Sequence, residues 1–445
     1  MLVVSWARVP FRIPLHVSLR AHNAMTALSA AAMAFWCQES EMHFTIKPVS
    51  YRCNLHCDYC FYLPKGSSGQ LPPGPKVMSD EVLEAFVASY IAACPGDTVY
   101  FTWQGGEPLL AGLDFYRKAF ALQAQYRGGK KVENAVQTNG TLINEEWCQL
   151  FKEHQVLLGV SIDGPQELHD AWRKNSRGAG SFNEVMAGIE LLKRHGVPFN
   201  TLTCINAVNY TKPLEVYHFL KSLGSTYWQF SEVVETTPEQ EQMGRALGHY
   251  QVKPFSLPRD AYGTFMLPLF KQWVRHDVGR IVVRQFESLI ACVLGLGHHS
   301  CVWEERCPDN FVLEANGDIY ECDQTVYPGY KLGNILELGP KCAHDGKVRD
   351  SGLAVLHSQH LTACKQQLSA QCQACPYLPL CHGGCVKHRI DQGEGAVQSY
   401  FCAGYQDFFA GITPFLNVMV HLENNKVPYT AIVGLVDQIE AALKK

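Results

Sequence analysis

Several absences narrow the class of this 445-residue chain. It has no clear internal repeat, which argues against a solenoid or propeller. It has no long low-complexity tract, so no segment reads as disordered overall. No stretch is apolar and long enough to read as a membrane-spanning helix. Excess positive charge is missing too: a formal net charge of −4 and a pI near 6.5 argue against a broad nucleic-acid footprint. Hydrophobic content, at 47%, is ordinary. A sizeable core is therefore available, and the length suits two or three domains or one large barrel with an appendage.

Cysteine is what the chain has in excess, with eighteen. In a small secreted protein that number would suggest a disulfide framework, but here the chain is large and the cysteines gather in motifs. Metal clusters in a reducing compartment fit that pattern better. The first forty residues pull the other way. They carry Arg8, Arg12 and Arg20, then AMTALSAAAMAFW (24–36), which resembles a weak signal peptide. Cluster assembly belongs in the cytoplasm, so the expectation is a cytoplasmic protein with an overlong gene start. Translation would then begin at Met25, Met33 or Met42, and residues 1–42 form an N-terminal extension.

From residue 43 short β-rich runs recur: HFTIKPVS (43–50), TVYFTWQ (98–104), VENAVQT (132–138), LLGVSID (157–163), PFNTLTCIN (198–206) and YWQFSEVV (227–234). Helical patterns separate them. One opens at Ser79, a predicted N-cap, with Val82, Phe86, Val87, Tyr90 and Ile91 on one face. Another carries a predicted capping box from Ser181 to Glu184 and stops at Gly196. Strands alternating with helices predict an α/β fold with a parallel sheet, closed or partly closed into a barrel over 43–275. Sites in such sheets lie at the carboxyl ends of strands. Residues 276–300 read as a linker, 301–405 as a glycine- and cysteine-rich second domain, and 406–445 as two C-terminal helices.

Directly after the first predicted strand comes RCNLHCDYCFY (52–62), with Cys53, Cys57 and Cys60 spaced x3 and x2. Four thiolates usually hold an iron–sulfur cubane. Three on one loop leave one iron open to an external ligand, whereas a zinc site would need a distant fourth ligand. With Tyr59 before its last cysteine, this loop resembles the signature of the radical S-adenosylmethionine (SAM) enzymes. The resemblance implies that SAM chelates the open iron and is cleaved to a 5′-deoxyadenosyl radical. It also implies the SAM contacts. Gly105, Gly106 and Glu107 lie in QGGEP after the second strand, where glycines permit close approach. Ser161 and Asp163 lie in VSIDGP after the fourth strand, and Arg173 follows as a candidate for the SAM carboxylate. Thr138-Asn139-Gly140 and Gln229 are weaker candidates.

Eight more cysteines follow as Cys301-x5-Cys307-x14-Cys322, Cys372-x2-Cys375-x5-Cys381-x3-Cys385, and Cys402. A zinc ribbon is the alternative for Cys372 and Cys375 alone. The whole array resembles the SPASM extension of radical SAM enzymes. That likeness, which spacing could not supply, implies one auxiliary [4Fe–4S] cluster on Cys301, Cys307, Cys322 and Cys385. A second would sit on Cys372, Cys375, Cys381 and Cys402, making three clusters in all. The remaining cysteines read mostly as packing thiols. Cys342 and Cys364 have no place in the pattern.

Tyr320-Glu321-Cys322-Asp323, followed by YKLGNI (330–335), is similar to anaerobic sulfatase-maturating enzymes, in which an aspartate after that cysteine acts as general base. The resemblance spans about 43 to 405. It implies oxidation of a serine or cysteine in a sulfatase polypeptide, within a Cys/Ser-x-Pro-x-Arg context, to Cα-formylglycine. Asp323 would take the hydroxyl or thiol proton, and a flavodoxin or ferredoxin would supply electrons. The competing readings are a SPASM maturase of a ribosomally made peptide, forming thioether or carbon–carbon crosslinks, and a non-catalytic electron carrier.

Overall fold

The computed structural model describes residues 42–67, 71, 74–237, 251–339, 341–342, 348–350, 352–390 and 398–444. The N-terminal extension therefore lies outside the described residues, apart from Met42. Every predicted strand is present: β1 (His43–Ile46), β2 (Thr98–Trp103), β3 (Lys131–Thr138), β4 (Leu157–Ser161), β5 (Phe199–Ile205) and β6 (Tyr227–Glu232). They pair in parallel and in chain order. Five of the six predicted runs overshoot at their carboxyl ends, the exception being the one that becomes β3. At residues 47–50, for example, the chain has left the ladder and turned, with Ser50 at φ 55°.

Helices α1 (Asp80–Ala93), α2 (Leu113–Tyr126), α3 (Glu145–Glu153), α4 (Phe182–His195) and α5 (Pro213–Ser222) connect the strands. Ser79 caps α1 as its sequence predicts, its Oγ accepting from Val82 N at 3.3 Å. The capping box at Ser181 does not form. Ser181 Oγ instead donates to the Arg173 carbonyl at 2.8 Å, and Asp170 Oδ1 accepts from Phe182 N at 2.9 Å. The tertiary partner has won over the local one.

Residues 276–300, expected as a linker, hold β7 (Val282–Val283) and α7 (Arg284–Val293). β7 extends the sheet in parallel beside β6, and Phe286, Leu289 and Ile290 of α7 are buried. At the other edge β8 (Asn310–Leu313) pairs in parallel with β1, followed by antiparallel β9 (Asp318–Tyr320) and β10 (Lys331–Asn334). One ten-stranded sheet results, in the order β10-β9-β8-β1-β2-β3-β4-β5-β6-β7. Strands of the second predicted domain thus continue the first domain's sheet. The two central short strands make this possible, because β1 and β8 bury Phe44 and Phe311 against one core. The C-terminal helix α8 (Cys402–Asn424) packs on α6 (Ala261–His276). Gly404 permits that contact, since a Cβ there would stand 2.8 Å from Tyr262 N. The second C-terminal helix is split into a 3₁₀ segment, Tyr429–Leu435, and an α segment, Val436–Leu443. No helix among the described residues is long and apolar enough to cross a membrane.

Candidate active site at the carboxyl ends of the strands

The loop bearing Cys53, Cys57 and Cys60 leaves β1 and is held by backbone bonds from three sides. His56 N donates to Lys174 O (2.7 Å), Asp58 N to Trp172 O (3.0 Å), and Glu107 N to Arg52 O (2.8 Å). The sulfurs already collect donors: Leu55 N to Cys53 and Leu63 N to Cys60, both at 3.3 Å, and Asn139 Nδ2 to Cys53 at 3.7 Å. Burial pushes the Cys53 and Cys57 thiols up to about 12 and raises Cys60 as well. The three lie within electrostatic reach of one another. As thiolates they would repel in a dry site, so the trio suits a cationic iron cage that offsets both burial and repulsion.

The other eight thiols fall into two sets by the same proximity. Cys307 and Cys322 each lie within electrostatic reach of Cys385 and Cys301, and Cys385 within reach of Cys301. Cys381 and Cys402 sense Cys372 and Cys375. The second set lines a partly open pocket together with Tyr377, Tyr405 and Phe409. No disulfide joins two of the described cysteines. Among the described residues no three ligating side chains converge as one ion requires, while four thiols per set is the number a cubane takes. Both arrangements fit a cubane. Cys94 and Cys148 are buried packing thiols, and Cys364 rests among Tyr330, Leu361 and Val386.

The glycines of QGGEP are required, but for a reason the sequence does not display. Gly105 and Gly106 have φ +96° and +51°. A Cβ would stand 2.6 Å from Cδ of Lys47 at the first and 1.9 Å from the Arg52 carbonyl oxygen at the second. The turn thus packs directly on the cluster loop. Glu107 is fully buried and accepts from Thr138 Oγ1 (2.8 Å), Asn139 N (2.7 Å) and Leu109 N (3.0 Å). Its carboxylate fixes the end of β3, which carries the Asn139 amide toward Cys53. Ser161 Oγ, at the end of β4, accepts from Gln137 Nε2 at 3.0 Å.

Asp163 and Arg173 pair with each other. Arg173 Nε meets Asp163 Oδ2 at 3.0 Å, and neither is open to a cosubstrate carboxylate. Asp163, at 0% exposure, also accepts from the Tyr59 hydroxyl and from Cys204 N (3.0 Å). The guanidinium lies 5.5 Å from the Tyr59 ring centroid and within electrostatic reach of Cys57. This pair is a clamp beneath the cluster loop. Partnering a buried charge internally avoids a large desolvation cost, which explains why each takes the other.

Asp323 follows Cys322 and β9, and the pairing of β8 with β1 carries it to the end of β1. There its carboxylate forms an ion pair with Lys47, whose side chain is 1% exposed against 21% for Asp323. The Lys47 ammonium also lies 3.4 Å from the Tyr62 ring centroid, and the Tyr62 hydroxyl donates to Glu314, the residue after β8. Burial raises Glu314 to about 7 and lowers nearby Lys65 to about 7. Sequence reasoning missed Lys47, Tyr62 and Glu314. The available signal was position: a lysine directly at a strand's carboxyl end.

Comparison with known proteins places this geometry. The family model for the Radical SAM superfamily matches residues 48–220. A serine-type anaerobic sulfatase-maturating enzyme of Bacteroides thetaiotaomicron is 38% identical over 410 residues, covering 89% of this chain and 95% of that protein. A cysteine-type anaerobic sulfatase-maturating enzyme of Clostridium perfringens is 32% identical over 384 residues, covering 85% and 98%. The solved structure of native anSMEcpe with bound AdoMet and Cp18Cys peptide superposes with a TM-score of 0.73 at 31% identity, covering 85% of this chain and 99% of that one.

Proposed function

This chain belongs to the anaerobic sulfatase-maturating enzymes of the radical SAM superfamily, and from that premise we propose that it oxidises a serine or cysteine side chain of a sulfatase polypeptide to Cα-formylglycine. It is a radical SAM oxidoreductase that uses SAM and a [4Fe–4S] cluster. In this reading Cys53, Cys57 and Cys60 hold that cluster, and Gly105, Gly106 and Ser161 border SAM. Glu107, Asp163 and Arg173 hold the surrounding loops. The bound cosubstrate supplies the 5′-deoxyadenosyl radical that takes a hydrogen atom from the substrate Cβ.

Asp323 takes the accompanying proton from the hydroxyl or thiol, and Lys47 keeps the carboxylate aimed into the mouth of the sheet. Loss of a hydrogen atom, a proton and one further electron leaves a carbonyl or thiocarbonyl. A thiocarbonyl then hydrolyses with release of sulfide. The two four-thiol sets would hold two more clusters, three in all, and would thereby supply an acceptor for that electron. A cytoplasmic enzyme served by a flavodoxin or ferredoxin completes the proposal, since cluster assembly belongs in a reducing compartment. The observation that carries the reading is the buried Lys47–Asp323 ion pair at the strand end, beside the three-cysteine loop.

Its test is anaerobic incubation of the reconstituted protein with SAM, a reductant and peptides carrying Ser or Cys in the Cys/Ser-x-Pro-x-Arg context, read by mass spectrometry. The expected result is aldehyde, falling by roughly 10²–10⁴-fold in Asp323→Asn, the range for a lost general base, while 5′-deoxyadenosine still forms. SAM cleavage with every peptide unchanged would remove the sulfatase client and favour peptide crosslinking.

A further inference from the structure

The two four-thiol sets are joined through one short segment. Cys381 belongs to one set and Cys385 to the other, so only His382, Gly383 and Gly384 separate thiols of different clusters. All three intervening residues are left-handed, with φ of 42°, 76° and 68°. Such a run is costly, above all for the non-glycine His382, and persists only where its surroundings fix it.

Two buried cations fix it. Arg389, 3% exposed, donates from Nη2 to His382 O (3.5 Å) and from Nε to Gly383 O (3.3 Å). Lys365, 1% exposed, donates to Gly384 O (3.3 Å). The carbonyl of each of the three intervening residues is therefore turned onto a fixed positive charge. The same cations reach further into both sets. Lys365 also binds the carbonyls of Cys301 and Val302, both at 2.9 Å. Arg389 also binds Cys364 O (2.9 Å), Gln367 O (3.0 Å) and Lys365 O (2.8 Å), and it lies within electrostatic reach of Cys372, Cys385 and Cys307. Gly383 suits its φ of +76°, and a Cβ there would stand 2.6 Å from Leu368 Cδ2 and 2.8 Å from Arg389 Nη2.

We propose that Cys381–Cys385 is the electron bridge between the two auxiliary clusters, and that Lys365 and Arg389 clamp it and raise the reduction potentials of both. The inference rests on the two clusters assigned under the proposed function. Its physics is general: a four-thiolate cubane is anionic and gains negative charge on reduction, so a fixed cation in a low-dielectric site favours the reduced form. A single electron crosses the bridge, one cluster being oxidised as the other is reduced, and no atom moves. A surface lysine would be screened by solvent and salt, but these two charges are not.

The test uses the reconstituted full-length protein and its Lys365→Met, Arg389→Gln and Arg389→Lys variants. Iron and sulfide content, EPR-monitored redox titration, and spin coupling between the two reduced clusters are the readouts. Lys365→Met is expected to lower the potential of the cluster on Cys301, Cys307, Cys322 and Cys385. Arg389→Gln should lower both auxiliary potentials and weaken the spin coupling, Arg389→Lys should restore most of the potential, and the Cys53 cluster should not shift. Unchanged auxiliary potentials at full iron content would overturn the proposal. So would equal shifts in all clusters, or neutral variants that fold but cannot load iron, which would make the cations assembly elements. Iron sufficient for only one cluster in the wild-type protein would instead sink the auxiliary-cluster reading on which this rests.

Discussion

Lys47 and Asp323 lie 276 residues apart in the chain, yet they form an ion pair at the carboxyl end of β1. The sheet brings them together. β8 lies in parallel register on β1, with Ile46 opposite Leu313, and the β8–β9 hairpin returns the chain to Cys322 and Asp323. The proposed base, contributed from the cysteine-rich extension, thus reaches the mouth of the N-terminal strands without a flexible linker.

Lys47→Met should therefore separate the two halves of the reaction. The residues around the first cluster remain, so SAM cleavage continues, while Asp323 loses the charge that orients it. Aldehyde formation is expected to fall about tenfold or more, the effect of ~1.4 kcal/mol on the barrier. Lys47→Arg should not restore it, because the Lys47 stem is packed against Gly105 and a guanidinium has a different reach. The ratio of 5′-deoxyadenosine to aldehyde, measured by chromatography with mass detection, checks this; an unchanged ratio in Lys47→Met removes Lys47 from the mechanism.

Arg173→Ala tests the clamp beneath the cluster loop. It strands Asp163 as a fully buried carboxylate, a change that costs on the order of 3–5 kcal/mol when one partner of a buried pair is removed. Tyr59→Phe removes only the hydroxyl donor to Asp163, a loss of about 1–2 kcal/mol. Denaturant unfolding of the cluster-free protein should rank the two in that order. A milder effect for Arg173→Ala than for Tyr59→Phe would show that Asp163 finds another partner.

The ranking also marks where the sequence was readable. Strand positions and the cluster loop follow from periodicity and local spacing, which are properties of neighbouring residues. The pairing of Asp163 with Arg173 was not legible, because a strand-end acid and a later arginine look equally suited to a ligand or to each other. Burial decides between those options, and burial belongs to the fold. The same holds at Ser181, where the local capping pattern is complete but His169 and the Arg173 carbonyl take the hydroxyl. Residues 276–300 read as a linker because β7 has only two residues, too few for a period to register. Lys47 could be noticed at a strand end, but nothing nearby in sequence announces Asp323 as its partner.

Glu287 gives a pH signature remote from the site. It lies on α7, is buried, and accepts from the Tyr429 hydroxyl at 3.0 Å. Burial raises it from the ordinary glutamate value of 4.5 to about 7. With the folded value above the unfolded one, the folded state holds the extra proton between about 4.5 and 7. Its contribution to stability is therefore intact below pH 4.5 and is lost as pH rises through 7. Glu287→Gln imitates the protonated form and should gain on the wild type between pH 5 and pH 8, by on the order of 3 kcal/mol at ~1.36 kcal/mol per pH unit. Paired melting curves at the two pH values test this, and a constant difference would mean the carboxyl is not held protonated by burial.

Gly105 and Gly106 look equivalent in sequence, but the structure predicts different failures on substitution by alanine. Both carry positive φ, which costs alanine roughly 1–2 kcal/mol at either position. At Gly106 the added methyl would meet the Arg52 carbonyl oxygen at 1.9 Å, and backbone cannot yield as a side chain can. The loop between Arg52 and Cys53 must shift, so Gly106→Ala should lose the first cluster and with it all SAM cleavage. At Gly105 the methyl meets the flexible stem of Lys47 at 2.6 Å, and the lysine can swing aside. Moving Lys47 breaks its pair with Asp323 but leaves the three thiols in place. Gly105→Ala should therefore keep its iron, keep SAM cleavage and lose aldehyde, reproducing Lys47→Met from the opposite side of the contact. Iron content and product ratio together decide the matter: equal iron loss in both variants would make the turn a simple support for the loop, with no separate connection to the base.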